Sequence, residues 1–509
     1  MMDEYPKSTD ADILLLLEGT YPFVMGGVSS WVHKLIELLP QYRFAVIFIG
    51  GSRKDYGTIR YSLPKNLVHL ETHYLFDNQT ATHGKPKSTN TPKEAFSHLT
   101  TMHEKFTETS NSHSALLAKE LHEELLINAG LNLNDFLYSR CSWEYLLENY
   151  REKCPEISFL DYFWTIRNMH APIWQLLDII RYAPSARILH SVSTGFAGFL
   201  GALLYHERKT PFVLTEHGIY VKERRIDLLS QWVAVGTQIE QRQAQTKQYL
   251  TNLWIHFFEV LARICYSAAN PIISLFGAYQ QQQIDAGAPA QNTRIIPNGI
   301  PIPPTDFVIK PVPISHAPVI ALIGRVVPIK DIKTFIRSMV AVKKHLVTIE
   351  AWIVGPTDED PTYFNECKEL VNVLKLTEQV HFKGTQKIAD ILPSIDLLVL
   401  SSISEGLPLV LLEGFAEGIP AVTTDVGACS ELIYGKTPED IALGPSGIVV
   451  EIANANALAD AIIALMQDPI RCQHAQHAGR ERVKRYYSQE QFLQQYTTVY
   501  NEALTPWQA

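Results

Sequence analysis

The stretch Ser404-Glu405-Gly406-Leu407-Pro408-Leu409-Val410-Leu411-Leu412-Glu413-Gly414 decides how this chain is read. The apolar run Leu397-Leu398-Val399-Leu400 before it is short and bounded, as a buried strand is. Pro408 suits the first turn of a helix, where a missing N–H costs nothing. The segment is therefore predicted to run strand, tight turn at Glu405-Gly406, then a helix with Glu413 in its second turn. At about 1.5 Å per residue, Pro408 and Glu413 lie roughly 7–8 Å apart along the axis. Two carboxylates so placed suit hydroxyl donors, with a diphosphate between them facing the helix N–H groups. The plainer alternative is a surface helix with two solvated glutamates, and the rest of the chain weighs on the choice.

At 509 residues the chain is long enough for two large domains, each with its own core. A hydrophobic content of 46% with 19% charged residues is that of an ordinary globular protein. A net charge of −9 argues against general nucleic-acid binding or a polybasic membrane anchor. The cysteines Cys141, Cys154, Cys265, Cys367, Cys429 and Cys472 are scattered, without Cys-x-x-Cys or companion histidines. Neither a zinc site nor a disulfide framework is expected, and reduced thiols in a cytoplasmic protein are. The N-terminus lacks the basic-then-apolar order of a signal peptide. No apolar run approaches the length of a membrane-spanning helix.

Further along, strand and helix patterns alternate. Ile13 to Leu17 reads as a strand, followed by Gly26-Gly27 and a helical pattern at Val28, Trp31, Val32, Leu35 and Ile36. Strand, double glycine and helix make the opening unit of a nucleotide-binding α/β fold, the glycines allowing close backbone approach to a ligand. From about residue 80 to 181 the alternation stops: Thr80 to Lys93 is polar, and the remainder reads as helices inserted in the first domain. It resumes with strands at Ala186 to Ser191 and Pro211 to Thr215, the latter ending in Glu216-His217-Gly218. A titratable pair there sits where open α/β sheets bind ligands. His190 ends the neighbouring strand, and Lys222 to Arg225 is either a solvated helix start or a cationic rim. Four prolines between Pro297 and Pro304 make a stiff connector.

The second half opens with a strand at Val319 to Ile323, then Gly324-Arg325 and Lys330 on one strand-to-helix loop. Arg325 by its planar fork and Lys330 as a point charge suit a diphosphate. Lys383-Gly384 is expected on a loop that binds a base through its backbone. Asp358-Glu359-Asp360 has the Asp-x-Asp form of a metal-held diphosphate site, but lacks a second ligand cluster and is expected to be a solvated acidic loop. Strands recurring among helices identify a second doubly wound domain.

Taken together, Gly26-Gly27, Glu216-His217, Ile296-Pro297-Asn298-Gly299, Gly324-Arg325 with Lys330, Glu405 to Glu413, and Val426-Gly427 with Glu431-Leu432 resemble, in order and spacing, glycosyltransferase family 4, retaining transferases of GT-B architecture. Within it the chain looks most like the transferases of Pel exopolysaccharide synthesis. The resemblance implies two Rossmann-like domains facing across a cleft: residues 1–300 on the acceptor side with the helical insertion, residues 301–485 binding the nucleotide sugar, and residues 486–509 crossing back as a helix. It implies that Arg325 and Lys330 hold the donor pyrophosphate, Glu405 the donor sugar and Glu413 the ribose. By the same resemblance Gly406, Leu407, Leu409 and Val410 line the donor through their backbone, His217 lies near the reacting sugar, and Gly26 and Gly27 lie at the phosphates. It also implies a UDP-sugar donor, a polysaccharide acceptor, no metal or other cofactor, and association with an inner-membrane polysaccharide synthase. The competing readings are a catalytically inactive nucleotide-sugar-binding scaffold and a GT-B epimerase of UDP-N-acetylglucosamine.

Overall fold

The computed structural model describes residues 5–77, 133–233, 241–303, 317–346 and 348–505. The polar stretch Thr80 to Lys93 and the first part of the expected insertion, through residue 132, lie outside these. The chain divides into two compact units. The first comprises Met1–Ser274, Tyr279–Ile295 and Tyr496–Ala509; the second comprises Leu275–Ala278 and Ile296–Gln495. The division between Ile295 and Ile296 thus falls directly before the proline-rich connector that starts at Pro297.

Each unit is a Rossmann-like α/β domain built on one parallel sheet. In the first, β1 (Asp10–Glu18), β2 (Phe44–Gly50), β3 (Leu67–Tyr74), β4 (Ser185–Ser191), β5 (Phe212–Glu216), β6 (Ile272–Ser274) and β7 (Thr293–Ile295) lie in the order β3-β2-β1-β4-β5-β6-β7. In the second, β8 (Val319–Ile323), β9 (Glu350–Val354), β10 (Val380–Gly384), β11 (Leu397–Leu400), β12 (Ala421–Thr424) and β13 (Gly447–Val450) lie in the order β10-β9-β8-β11-β12-β13. The strand order therefore reverses between β1 and β4 in one sheet and between β8 and β11 in the other. Ligands of open α/β sheets bind beyond the carboxyl ends of the strands at this switch point.

The local sequence explains these elements. Ile13 to Leu17 have no exposed side-chain surface, as a parallel strand covered by helices on both faces requires. Helix Gly27–Leu38 turns Trp31, Val32, Leu35 and Ile36 inward at helical spacing. The described part of the insertion is helical: Leu133–Tyr138, Arg140–Lys153 and Phe159–Tyr182. Ser139 and Ser158 cap the last two by accepting the backbone N–H of Ser142 and Asp161. Their inner faces join the first core through Phe136, Leu146, Ile166, Met169 and Trp174.

The final helix, Gln489–Leu504, begins in the second unit, where Gln489 N–H donates to Ile300 O at 2.8 Å. Its later residues belong to the first: Asn501 Oδ1 accepts from Tyr42 at 3.0 Å, and Tyr500 Oη lies 2.8 Å from His190 Nδ1. Gly299 of the Ile-Pro-Asn-Gly motif is packed at the start of this helix, where a Cβ would come 2.6 Å from that of Phe492. Helix Pro469–Tyr486 was not expected, although Asp468 capping it and Pro469 in its first turn are a start signal. Its buried face consists largely of small residues, among them Cys472, Ala475, Ala478 and Gly479, which give a weak apolar period.

Candidate functional site

In the second unit the switch point gathers the charged residues. The loop after β8 carries Arg325, then a turn over Pro328–Lys330, then Asp331 in the left-handed region at φ 41°. Asp331 caps helix Ile332–His345 by accepting Thr334 N–H at 3.3 Å. The segment after β11 fastens this loop in place: Ser401 Oγ lies 2.9 Å from Lys330 O and 3.0 Å from Asp331 O, and Ile403 N–H donates to Ile329 O at 2.8 Å. Lys330 Nζ then meets Glu405 Oε1 at 2.5 Å, and Ser402 Oγ donates to the same oxygen at 2.5 Å. The pairing of β8 with β11 (Leu397 opposite Ile320) is what makes this 75-residue separation close. With 21% and 12% of their side-chain surfaces exposed, Lys330 and Glu405 form a half-sheltered pair at the sheet edge.

A third loop holds Glu405 from behind. Gly427 has φ +55°, and a Cβ there would lie 2.3 Å from Gly406 O and 2.4 Å from Glu405 O. Ala428 N–H donates to Gly406 O at 2.9 Å. Only glycine at 427 allows this approach of backbone to backbone. Leu407 and Pro408 are buried, and helix Leu409–Ala416 starts with Pro408 as its cap residue rather than in its first turn. That helix has no side-chain cap and no acidic residue in its first turn, so its leading N–H groups retain their attraction for an anion. Leu409, Val410 and Glu413 are partly buried on it. Glu431, of the Glu431-Leu432 motif, accepts Gly277 N–H at 3.1 Å.

Arg325, on the same loop, has a carboxylate partner that the sequence spacing does not predict. Its Nη1 lies 2.5 Å from Glu359 Oε1, with 55% and 49% of the two side chains exposed. The acidic loop is thus only in part solvated: Glu359 pairs with Arg325, and Asp360 caps helix Pro361–Val373 by accepting Tyr363 N–H at 2.9 Å. Lys383 and Gly384, expected on a loop, are the last two residues of β10. The Gly384 carbonyl accepts Gly355 N–H at 2.9 Å, and Lys383 Nζ sits 4.5 Å above the Trp352 ring. Among the described residues no group of three or more His, Cys, Asp and Glu is arranged to hold a metal ion.

The first unit's switch point has another character. Gly26 is the cap residue of helix Gly27–Leu38, and a Cβ on Gly26 or Gly27 would meet nothing within 4 Å. The protein's own packing therefore does not demand these glycines. Glu18, ending β1, accepts Tyr220 Oη–H at 2.9 Å and Ala197 N–H at 3.2 Å. Glu216, ending β5, accepts from Tyr266 Oη at 2.7 Å, Gln283 Nε2 at 3.0 Å, Thr194 Oγ1 at 3.2 Å and Tyr220 N at 3.4 Å. Burial raises both carboxyl pKa values above the ordinary range, and these donors offset part of the shift.

His217 follows, its ring 4.6 Å from that of Trp31. Burial lowers its pKa to about 4, so the imidazole is neutral at neutral pH. Its Nε2 is buried with no hydrogen-bond partner among the described residues. His190, by contrast, is fully engaged by Tyr500 and by Thr215 Oγ1 at 2.9 Å, and is a structural residue. Lys222 to Arg225 lie exposed on helix Tyr220–Val233. Ser401 and Ser402 are functional-site residues that the sequence reading does not single out. Position alone could have marked Ser401 and Ser402, which directly follow β11 at the carboxyl edge.

Residues 11–291 match the family model described as Domain of unknown function (DUF3492), and residues 317–468 match Glycosyl transferases group 1. The chain is 24% identical over 365 residues to alpha-maltose-1-phosphate synthase of Mycolicibacterium smegmatis, covering 66% of this chain and 85% of that protein. It is 30% identical over 183 residues to the lipopolysaccharide core biosynthesis mannosyltransferase LpsB of Rhizobium meliloti, covering 36% and 50%. Anabaena HepE, solved in complex with UDP and glucose, superposes with a TM-score of 0.55 over 96% of this chain and 100% of that one, at 14% identity. That likeness shows a shared GT-B fold. By the span of the first match the chain belongs to the DUF3492 family, and within its second half residues 317–468 are similar to group 1 glycosyltransferases.

Proposed function

We propose that the protein is a retaining glycosyltransferase that moves a hexose or N-acetylhexosamine from a UDP-sugar to a growing exopolysaccharide of the Pel type. The observation that carries this reading is the Lys330–Glu405 pair at the switch point of a domain similar to group 1 glycosyltransferases, with the uncapped helix Leu409–Ala416 beside it. Lys330 and Arg325 take the donor diphosphate, Glu405 and the backbone of Gly406 to Val410 the donor sugar, and Glu413 the ribose. HepE, whose fold is shared, binds UDP and glucose.

In the reaction the bond between the anomeric carbon and the β-phosphate oxygen breaks, and its electron pair stays on the diphosphate. The acceptor hydroxyl oxygen bonds to that carbon from the same face, and its proton passes to the departing phosphate oxygen. Negative charge grows on the leaving group, and fixed cations and N–H groups stabilise it without a metal ion. The neutral His217 and the polar groups of the first sheet offer hydrogen bonds to hydroxyls without a competing charge. The protein acts in the cytoplasm, beside a membrane-bound polysaccharide synthase; among the described residues no helix is long and apolar enough to cross a membrane itself.

The test is transfer from a panel of radiolabelled UDP- and GDP-sugars, with Lys330→Ala and Glu405→Ala as controls. Transfer from a UDP-sugar that both changes abolish supports the reading. UDP binding with no turnover, and no effect of either change, would instead support a scaffold.

A further inference from the structure

The loop that carries Arg325 is clamped to the loop that carries Glu359, all within the second unit. Gly324 N–H donates to Val354 O at 2.8 Å and Val326 N–H to Pro356 O at 2.9 Å, one bond on either side of Arg325. Gly355 lies so close that a Cβ on it would fall 2.0 Å from Gly324 O, and its φ of +148° is open to glycine only. At the far end of the loop, Asp360 is anchored as the cap of helix Pro361–Val373. Glu359 is therefore held on a built support, directly against the guanidinium that the donor diphosphate is proposed to use.

We infer that Glu359 is an internal counter-anion of the donor site, one that occupies Arg325 until a ligand of higher charge displaces it. The inference rests on the assignment of Arg325 to the diphosphate. A carboxylate carries one negative charge, so a singly charged phosphate ligand gains no more from Arg325 than it takes from Glu359. A nucleoside diphosphate brings more charge and several oxygens able to meet the planar fork. Glu359 thus sets a threshold that favours a diphosphate over singly charged anions. The pair is about half exposed, so displacing it is easy and the threshold is low.

The measurement is calorimetric titration of the full chain with UDP and with inorganic pyrophosphate, for wild type, Glu359→Gln, Arg325→Ala and the double variant. Glu359→Gln is expected to bind both probes about two- to fivefold more tightly, the span of an exposed ion pair. The gain should vanish in the Arg325→Ala background and shrink in high salt. A gain in affinity is not what damage to the fold produces, which separates this role from a purely structural one. UDP binding that weakens with Arg325→Ala but is unchanged or weakened by Glu359→Gln overturns the counter-anion and leaves the donor-site reading intact. Failure of both probes to bind wild type and Glu359→Gln alike overturns the two together.

Discussion

Gly427→Ala tests whether the backbone contact behind Glu405 is what places its carboxylate. An alanine Cβ at 427 would stand 2.3 Å from Gly406 O and 2.4 Å from Glu405 O, both main-chain atoms that no side-chain rotation can move aside. Relief to an ordinary contact requires the two segments to part by about 1 Å. The φ of +55° adds about 1–2 kcal/mol for an L-residue in the left-handed region. Losing the Ala428 N–H to Gly406 O bond adds about 1 kcal/mol. The sum, about 2–3 kcal/mol, corresponds to a fall in Tm of about 4–12 °C for a unit of some 200 residues. A displacement of about 1 Å at Glu405 is expected to cost about 100-fold in transfer. Gly384→Ala is the control for stability: φ is +64° there, but nothing lies within 4 Å of the added Cβ, so only the backbone cost applies. Scanning calorimetry and donor-turnover assays on the two variants decide the matter. A Gly427→Ala protein no less stable than Gly384→Ala, and as active as wild type, would refute the reasoning.

Other changes carry their own expectations. Lys330→Ala leaves Glu405 without its cation and the departing diphosphate without a point charge; kcat for transfer should fall by about 10²–10³-fold, measured with saturating donor. His217 should titrate near pH 4 by nitrogen-resolved NMR. Because its folded value lies below the 6.5 of a free imidazole, the stability it contributes is present above about pH 6.5 and is lost as pH falls towards 4. A midpoint near 6.5 would mean that the ring is solvated. Arg482 is fully buried and holds Asp440 at 2.6 Å together with the carbonyls of Ile433 and Gly444 at 2.9 Å. Arg482→Ala should destabilise the second unit by about 3–5 kcal/mol, read from denaturant unfolding.

The fold was legible where burial on both faces imposes a plain pattern. Ile13 to Leu17 and Leu397 to Leu400 are uninterrupted apolar runs because helices cover each side of their strands. Helix Pro469–Tyr486 was hidden because small buried residues suffice where helices pack closely. Lys383-Gly384 looked like a turn because glycine usually marks one; here its φ of +64° ends a strand whose last carbonyl still joins Gly355. The identity of the charged residues was readable, but their partners were not. Arg325 with Glu359 and Lys330 with Glu405 are pairs that strand order creates, and sequence spacing carries no trace of them.

The same strand order is used twice with opposite electrostatics, and the contrast bears on what each sheet edge can hold. On the loops after β8, β9 and β11, at the carboxyl edge of the second sheet, the carboxylates Glu359 and Glu405 face cations, and all four side chains keep some exposure. An anion arriving there trades one charged partner for another and desolvates little that was not already paired. At the carboxyl edge of the first sheet Glu18 and Glu216 face hydroxyl and amide donors, and burial raises their pKa values. Hydroxyl and amide donors carry no full charge, so they attract a phosphate less than a cation does. That edge is suited to neutral, hydroxyl-rich molecules, and His217, held neutral and with an unengaged Nε2, fits the same chemistry. A phosphate-bearing ligand is therefore expected to gain more at the second sheet, where Lys330 and Arg325 stand on one loop. Nucleotide protection in hydrogen exchange that mapped to the ends of β1 and β5, with none at 324–331 and 401–410, would contradict that assignment.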